Sequence, residues 1–236
     1  MDPCTSIAIY GDSILKATVS DDQLKYHFHI QQFLRRFDSL PVQLVNRARF
    51  GATVDKGMQI LSADLEKGLS CRLALLEFGG NDCNYDWPAI AADPCGVHRP
   101  MTALPHFSAQ LAAMIKLLQQ HGISPVLMTL PPIHGQRYFD FFSRGLDRAA
   151  LLQWLKNDVQ RIYRQQELYS DAVQRAAAEY HLPCLDVRSR FLQAEQLDEL
   201  ISADGIHLSD AGYDLLFDVL RTVLCGWLQT PAATLA

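Results

Sequence analysis

Short apolar runs of strand length alternate along this chain with longer stretches whose apolar residues recur every three or four positions. That alternation admits few architectures, because parallel strands need helical crossovers and helices need a sheet face to cover. The runs are residues 7–10 (Ile-Ala-Ile-Tyr, ending at Gly11), 42–46 behind Pro41, 73–78, 125–130 and 182–187. Between them, residues 26–37 carry Ile30, Phe33, Leu34 and Phe37 at helical spacing, and residues 54–67 carry Met58, Leu61 and Leu65 before Gly68. Residues 107–121 read as a further helix. Residues 149–180 read as one long amphipathic helix with Leu151, Leu155, Val159, Ile162, Tyr169, Val173 and Ala177 on one face. A terminal helix starts at Ser209 and carries Leu215, Leu216, Val219, Leu220 and Val223. The expected fold is an α/β parallel sheet of about five strands with helices on both faces. Residues 84–105, with Pro88, Pro94, Pro100 and Pro105, read as a long loop. Pro131-Pro132 forces an extended exit from the fourth strand, where a cis bond is an option.

No repeat, low-complexity tract or hydrophilic linker divides the 236 residues, so one domain, 1–236, is expected. The content, 49% hydrophobic and 20% charged, is that of a soluble globular chain. A formal net charge of −5 gives no electrostatic reason to bind nucleic acid. No segment approaches the length of a membrane span, and residues 1–6 are too few for a signal peptide ahead of the first strand, so a cytoplasmic location is the expectation. Cys4, Cys71, Cys83, Cys95, Cys184 and Cys225 form no C-x-x-C pair and read as reduced thiols. Cys83 and Cys95 flank one loop, and whether they pair is open at this point, as is the oligomeric state.

In an open parallel sheet, ligands sit beyond the carboxyl ends of the strands. Four polar islands fall there or close by: Gly11-Asp12-Ser13-Ile14, Gly51, Gly79-Gly80-Asn81-Asp82, and Asp204-Gly205-Ile206-His207 before the last helix. Each alone reads equally well as a turn, since Gly, Asp and Asn are common turn formers. Jointly they supply a nucleophile, a base, an orienting carboxylate and oxyanion donors, the full requirement for acyl transfer by serine. Asp204 and His207 are three residues apart, close enough for the carboxylate to accept the imidazole Nδ1–H and fix the tautomer that leaves Nε2 free. Other chemistries lack their residues. Leu15 stands where a G-x-S-x-G elbow has its second glycine, and the chain has no G-x-G-x-x-G, Walker loop or H-E-x-x-H. His27 and His29 without acidic or Cys company do not make a metal site, and no metal or cofactor is expected.

These four blocks, in this order, resemble those of the SGNH hydrolases, the GDSL family of esterases and lipases, with Ile14 in place of the family's Leu. The resemblance spans positions 11 to 207 and implies a flavodoxin-like three-layer α/β/α sandwich. It further implies catalysis by Ser13, His207 and Asp204. The oxyanion hole would be the Ser13 and Gly51 backbone N–H groups and the Asn81 side-chain amide. Gly51 suits a backbone donor that must approach substrate closely. Asp12, Trp87, Tyr138 and His134 are candidates for contact with a small-molecule ester, as are Tyr85, Phe139, Phe141 and Phe142, which read equally well as packing. Glu77 is expected to pair with Arg47 or Arg49 in a structural role. The competing expectation is a non-catalytic binding protein for acylated ligands on the same fold; intact Ser, Gly, Asn, Asp and His positions argue against it.

Overall fold

The first apolar run forms β1 (Thr5–Gly11), and the chain then makes a short hairpin of β2 (Thr18–Ser20) and β3 (Tyr26–Phe28) before α1 (Ile30–Arg35) and β4 (Val42–Asn46). These elements belong to a computed structural model that describes residues 5–21 and 23–229. There follow α2 (Val54–Glu66), β5 (Leu73–Glu77), α3 (Trp87–Ala92), α4 (Leu104–Gln120), β6 (Ser124–Met128), α5 (Gly135–Phe142), α6 (Arg148–Trp154), α7 (Gln160–Glu179), β7 (Cys184–Leu185), α8 (Val187–Leu192) and α9 (Asp210–Gln229). The main sheet is parallel, ordered β4-β1-β5-β6-β7. Strand order therefore reverses at β1, and the crevice beyond the ends of β1 and β5 is the switch point where such sheets hold ligands.

Side chains alternate across the sheet. Ala8, Tyr10, Ala74, Leu76 and Leu127 face α2, α4 and α7, while Ile7, Ile9, Leu73, Leu75, Val126 and Met128 face α1, α8 and α9. Both faces being covered explains the unbroken apolar strands and makes the three-layer α/β/α sandwich. A third cluster, with Trp87, Ile90, Tyr138, Phe139, Leu151, Leu155 and Ile162, joins α3, α5, α6 and α7.

Several local expectations are corrected. Residues 26–28 are strand, pairing antiparallel with Thr18–Ser20, and the helix begins only after His29. The loop expected over 84–105 contains α3, because Pro88 stands in its first turn, where a missing N–H is harmless, and Asp86 caps it by accepting from the Ala89 N–H at 3.1 Å. Pro105 likewise opens α4. The long helix expected over 149–180 is two, broken where Lys156 and Asn157 adopt φ of +57° and +54° and Asp158 caps the Gln160 N–H. Leu151 and Leu155 before the break meet Ile162 after it in the third cluster, while Tyr169, Val173 and Ala177 pack in the first, so the apolar spacing runs across the break without recording it. Residues 135–142 form α5, and the fifth main strand is only two residues long, since Asp186 caps α8. There is no cis peptide bond among the described residues. Cys83 is buried, Cys95 is exposed, and both are free thiols, as are Cys71 and Cys184. Cys4 and the Cys225 side chain lie outside the described residues. No helix among those residues is long and apolar enough to cross a membrane.

Candidate active site

The turn after β1 carries Asp12 and Ser13, and Asp12 shapes it by accepting the Ile14 N–H on Oδ1 at 2.9 Å, an Asx turn that aims Ser13 outward over the strand end. From the other side comes the segment before α9. There Asp204 Oδ1 accepts the N–H groups of Ile206 and His207 at 3.1 and 3.0 Å, and Oδ2 accepts the His207 Nδ1–H at 2.6 Å. The Ser13 hydroxyl donates to His207 Nε2 at 2.9 Å across 194 residues of chain. Ser13, Asp204 and His207 are 7%, 0% and 2% exposed. Burial pulls the Asp204 carboxyl upward, but the His207 ring, its charge and the two backbone N–H groups outweigh it and hold that carboxyl below the ordinary value.

Gly205 makes this loop close. Its φ is +81°, its carbonyl accepts the His134 N–H at 2.8 Å, and a Cβ on it would fall 2.4 Å from the Tyr138 nitrogen and 2.7 Å from the His134 carbonyl oxygen. Only glycine fits between this loop and the start of α5.

Asn81 follows β5 and points its amide back across the crevice. Nδ2 donates to Asp12 Oδ2 at 3.0 Å and to the Ala52 carbonyl at 3.1 Å. Its neighbour Asp82 is fully buried and accepts the first N–H of α2, that of Val54, so the Gly79–Asp82 island also anchors that helix. Among the described residues no backbone acceptor takes the N–H of Ser13 or of Gly51. Gly51 is exposed, with φ of +72°, and a Cβ there would meet nothing within 4 Å. The left-handed backbone, rather than close approach, is what requires glycine at this position.

Between these groups lies a hollow of about 80 Å³ lined by Asp12, Ser13, Asn81, His207 and the mainly apolar wall of Trp87, Leu130, Pro131, Ile133, Tyr138 and Ile162. Asn84, which sequence reasoning passed over, ties part of that wall together, accepting the Trp87 indole N–H at 2.9 Å and the Tyr138 hydroxyl at 2.8 Å. Trp87 stacks on Phe142 with ring centres 4.0 Å apart. Arg188, also unforeseen, is 6% exposed and donates to the Leu130 carbonyl and to Gln166 Oε1, while Gln166 donates to the Pro131 carbonyl at 2.7 Å. Tyr26 meets the His207 ring edge-on at 5.1 Å and Phe50 stacks on it at 5.9 Å. The misread strand at 26–28 hid the first of these contacts.

His134 does not line the hollow; its Nδ1 accepts the Arg137 N–H and caps α5. Glu77 does not pair with either arginine expected for it. Arg47 binds Asp64 at 2.9 Å, Arg49 donates to the Ala48 carbonyl, and Glu77 instead accepts the Asp12 N–H at 3.2 Å. His27 pairs with Asp21 at 2.8 Å, and no cluster of metal-ligating side chains occurs among the described residues.

The model of the GDSL-like lipase/acylhydrolase family matches residues 9–215. A lipase/acylhydrolase from Enterococcus faecalis has the same fold, with a TM-score of 0.66 and 21% identity over 94% of this chain and 96% of that one. An acetylxylan esterase from Geobacillus stearothermophilus, solved as a catalytic mutant, superposes with a TM-score of 0.61 and 18% identity over 92% of this chain and 93% of the other. A member of the lipolytic G-D-S-L family from Veillonella parvula gives 0.62 and 15% over 93% and 97%. No curated protein matches.

Proposed function

Since the chain belongs to the GDSL-like lipase/acylhydrolase family, we propose that it hydrolyses carboxylic esters through an acyl-enzyme on Ser13. The observation that carries this reading is the unbroken line Ser13–His207–Asp204, with hydrogen bonds of 2.9 and 2.6 Å in a buried setting. His207 Nε2 takes the hydroxyl proton as Ser13 Oγ attacks the ester carbonyl, then gives it to the leaving alcohol; water repeats the sequence to free the acid. Asp204 holds the tautomer and stabilises the imidazolium. The tetrahedral oxyanion receives the free N–H groups of Ser13 and Gly51 and a share of the Asn81 amide, which relaxes its bond to the Ala52 carbonyl to provide it.

Ser13→Ala tests the reading. Turnover of a short p-nitrophenyl ester is expected to fall by about 10⁴-fold or more, given the size of nucleophile deletions in serine hydrolases. Turnover within tenfold of the parent would reject it.

The wall of Trp87, Leu130, Pro131, Ile133 and Ile162 makes the hollow an apolar acyl site, and about 80 Å³ is roughly half the ~150 Å³ cavity that accepts benzene. Short acyl groups, acetyl to butyryl, fit it. In an acyl-length series kcat/KM is expected to peak at or below four carbons; a maximum at eight or more would remove this assignment.

A further inference from the structure

Glu77 ends β5 directly opposite Gly11 of β1 and is 1% exposed. The proposed hydrolysis by Ser13, His207 and Asp204 makes no use of it, and an apolar residue would continue the strand at less cost than a buried carboxyl. Its contacts lead straight to the oxyanion donors. Oε2 accepts the Asp12 N–H at 3.2 Å, while Oε1 is buried without a partner. The carboxyl lies close against β1, since a Cβ on Gly11 would come within 2.9 Å of Oε2. Asp12, 2% exposed, spends one oxygen on the Ile14 N–H of the turn that presents Ser13 and the other on the Asn81 amide. Both acids line the hollow.

We propose that Glu77 is a positioning residue: it fixes Asp12, and Asp12 in turn holds the Asn81 amide and the Ser13 turn in the geometry that receives the oxyanion. The inference rests on Ser13 being the nucleophile. The groups nearest Glu77 are Gly11 and Asp12 from β1, the Tyr213 hydroxyl from α9, and Asp82 from the turn beyond β5. Burial, then Asp12 and Asp82, push the Glu77 carboxyl well above the ordinary value, which favours its neutral form. Asp12 is raised by burial too, but the Ile14 N–H and His207 limit it to about 6. A neutral Glu77 can donate to the Asp12 carboxylate and accept from its N–H. Once Glu77 ionises, two carboxylates are forced together beneath a developing negative charge.

The test compares Glu77→Ala and Glu77→Gln with the parent in full pH profiles of kcat and kcat/KM on a short p-nitrophenyl ester. For Glu77→Ala, kcat at neutral pH is expected to drop about 10²-fold, the scale of losing one oxyanion donor, with KM changed less than about threefold. Glu77→Gln, isosteric with the neutral acid, should restore most of that loss. It should also lack the alkaline decline that ionisation of Glu77 imposes on the parent. A Glu77→Gln profile retaining the parent's alkaline limb overturns the proposal, whether or not the Ala variant folds, as does an Ala variant with parental kcat. Loss of parental ester turnover on purified protein would instead reject the reading of Ser13 and is read from the parent alone.

Discussion

At the scale of single residues, the crevice is controlled by how a few carboxylates are satisfied. Asp204 makes three hydrogen bonds with two oxygens, two from backbone N–H groups and one from the imidazole, so it is suited to remain an anion. Asp12 points its charge at the Asn81 amide. The amide is therefore polarised by an anion on one side and, in the proposed reaction, aimed at another. Asn81→Ala is expected to lower kcat about 10²–10³-fold with little change in KM, as for other side-chain oxyanion donors. Asn81→Asp should be worse, because it would set a third carboxylate beside Asp12 and the oxyanion. Steady-state kinetics of the two variants check the order; an Asp variant more active than the Ala variant would contradict it. The four polar islands were legible in the sequence because each sits where a strand or helix begins or ends. The tie from Glu77 to Asp12 was not, since nothing in a sequence shows that a carboxylate at a strand end turns toward another acid rather than toward Arg47 or Arg49.

At the scale of elements, the site depends on how closely the Asp204–His207 loop approaches α5. Gly205→Ala would set a Cβ into the backbone of Tyr138 and His134 while holding a left-handed φ. It should destabilise by more than about 1 kcal/mol and reduce turnover by displacing His207, which urea unfolding and ester kinetics on the same sample would show. An Ala variant with parental midpoint and rate would mean that the loop does not depend on this contact. The strands that carry the islands were readable from their apolar runs, and β4, α2 and β5 start where the sequence pattern places them. The errors share a physical cause. Prolines 88 and 105 stand in a proline-rich stretch that reads as loop although each opens a helix, and the break at Lys156-Asn157 leaves no mark because Leu151 and Leu155 before it and Ile162 after it meet in one cluster. The hairpin of β2 and β3 is too short for alternation to show.

At the scale of the whole molecule, the pH dependence of stability follows from the same buried acids. Asp204 is held low, so the stability it lends is present above the ordinary carboxylate range and lost as pH falls. Glu77 and Asp12 are held high, so their contribution is full below about pH 4, the ordinary range, and is lost as pH rises through about 6 and beyond. Replacing Glu77 by Gln removes a proton that the parent must give up on unfolding at high pH. The Tm of Glu77→Gln minus that of the parent should therefore grow as pH rises above the ordinary carboxylate range; a difference independent of pH would contradict a neutral Glu77. The parallel sheet that sets these acids together could be foreseen from the strand and helix alternation, because covered sheets need uniformly apolar strands. Helices on both faces were foreseen with it; the particular side chains that meet there were not, as where Tyr213 of α9 donates to the carbonyls of Ile14 and Thr18 beside the nucleophile turn.

The most direct measurement is covalent capture by a fluorophosphonate, followed by mass spectrometry of the digested protein. One adduct on the peptide containing Ser13 is expected, formed by the parent, slowed strongly by His207→Ala and absent from Ser13→Ala. An adduct on another residue, or labelling of Ser13→Ala at the parental rate, would contradict a nucleophile at position 13.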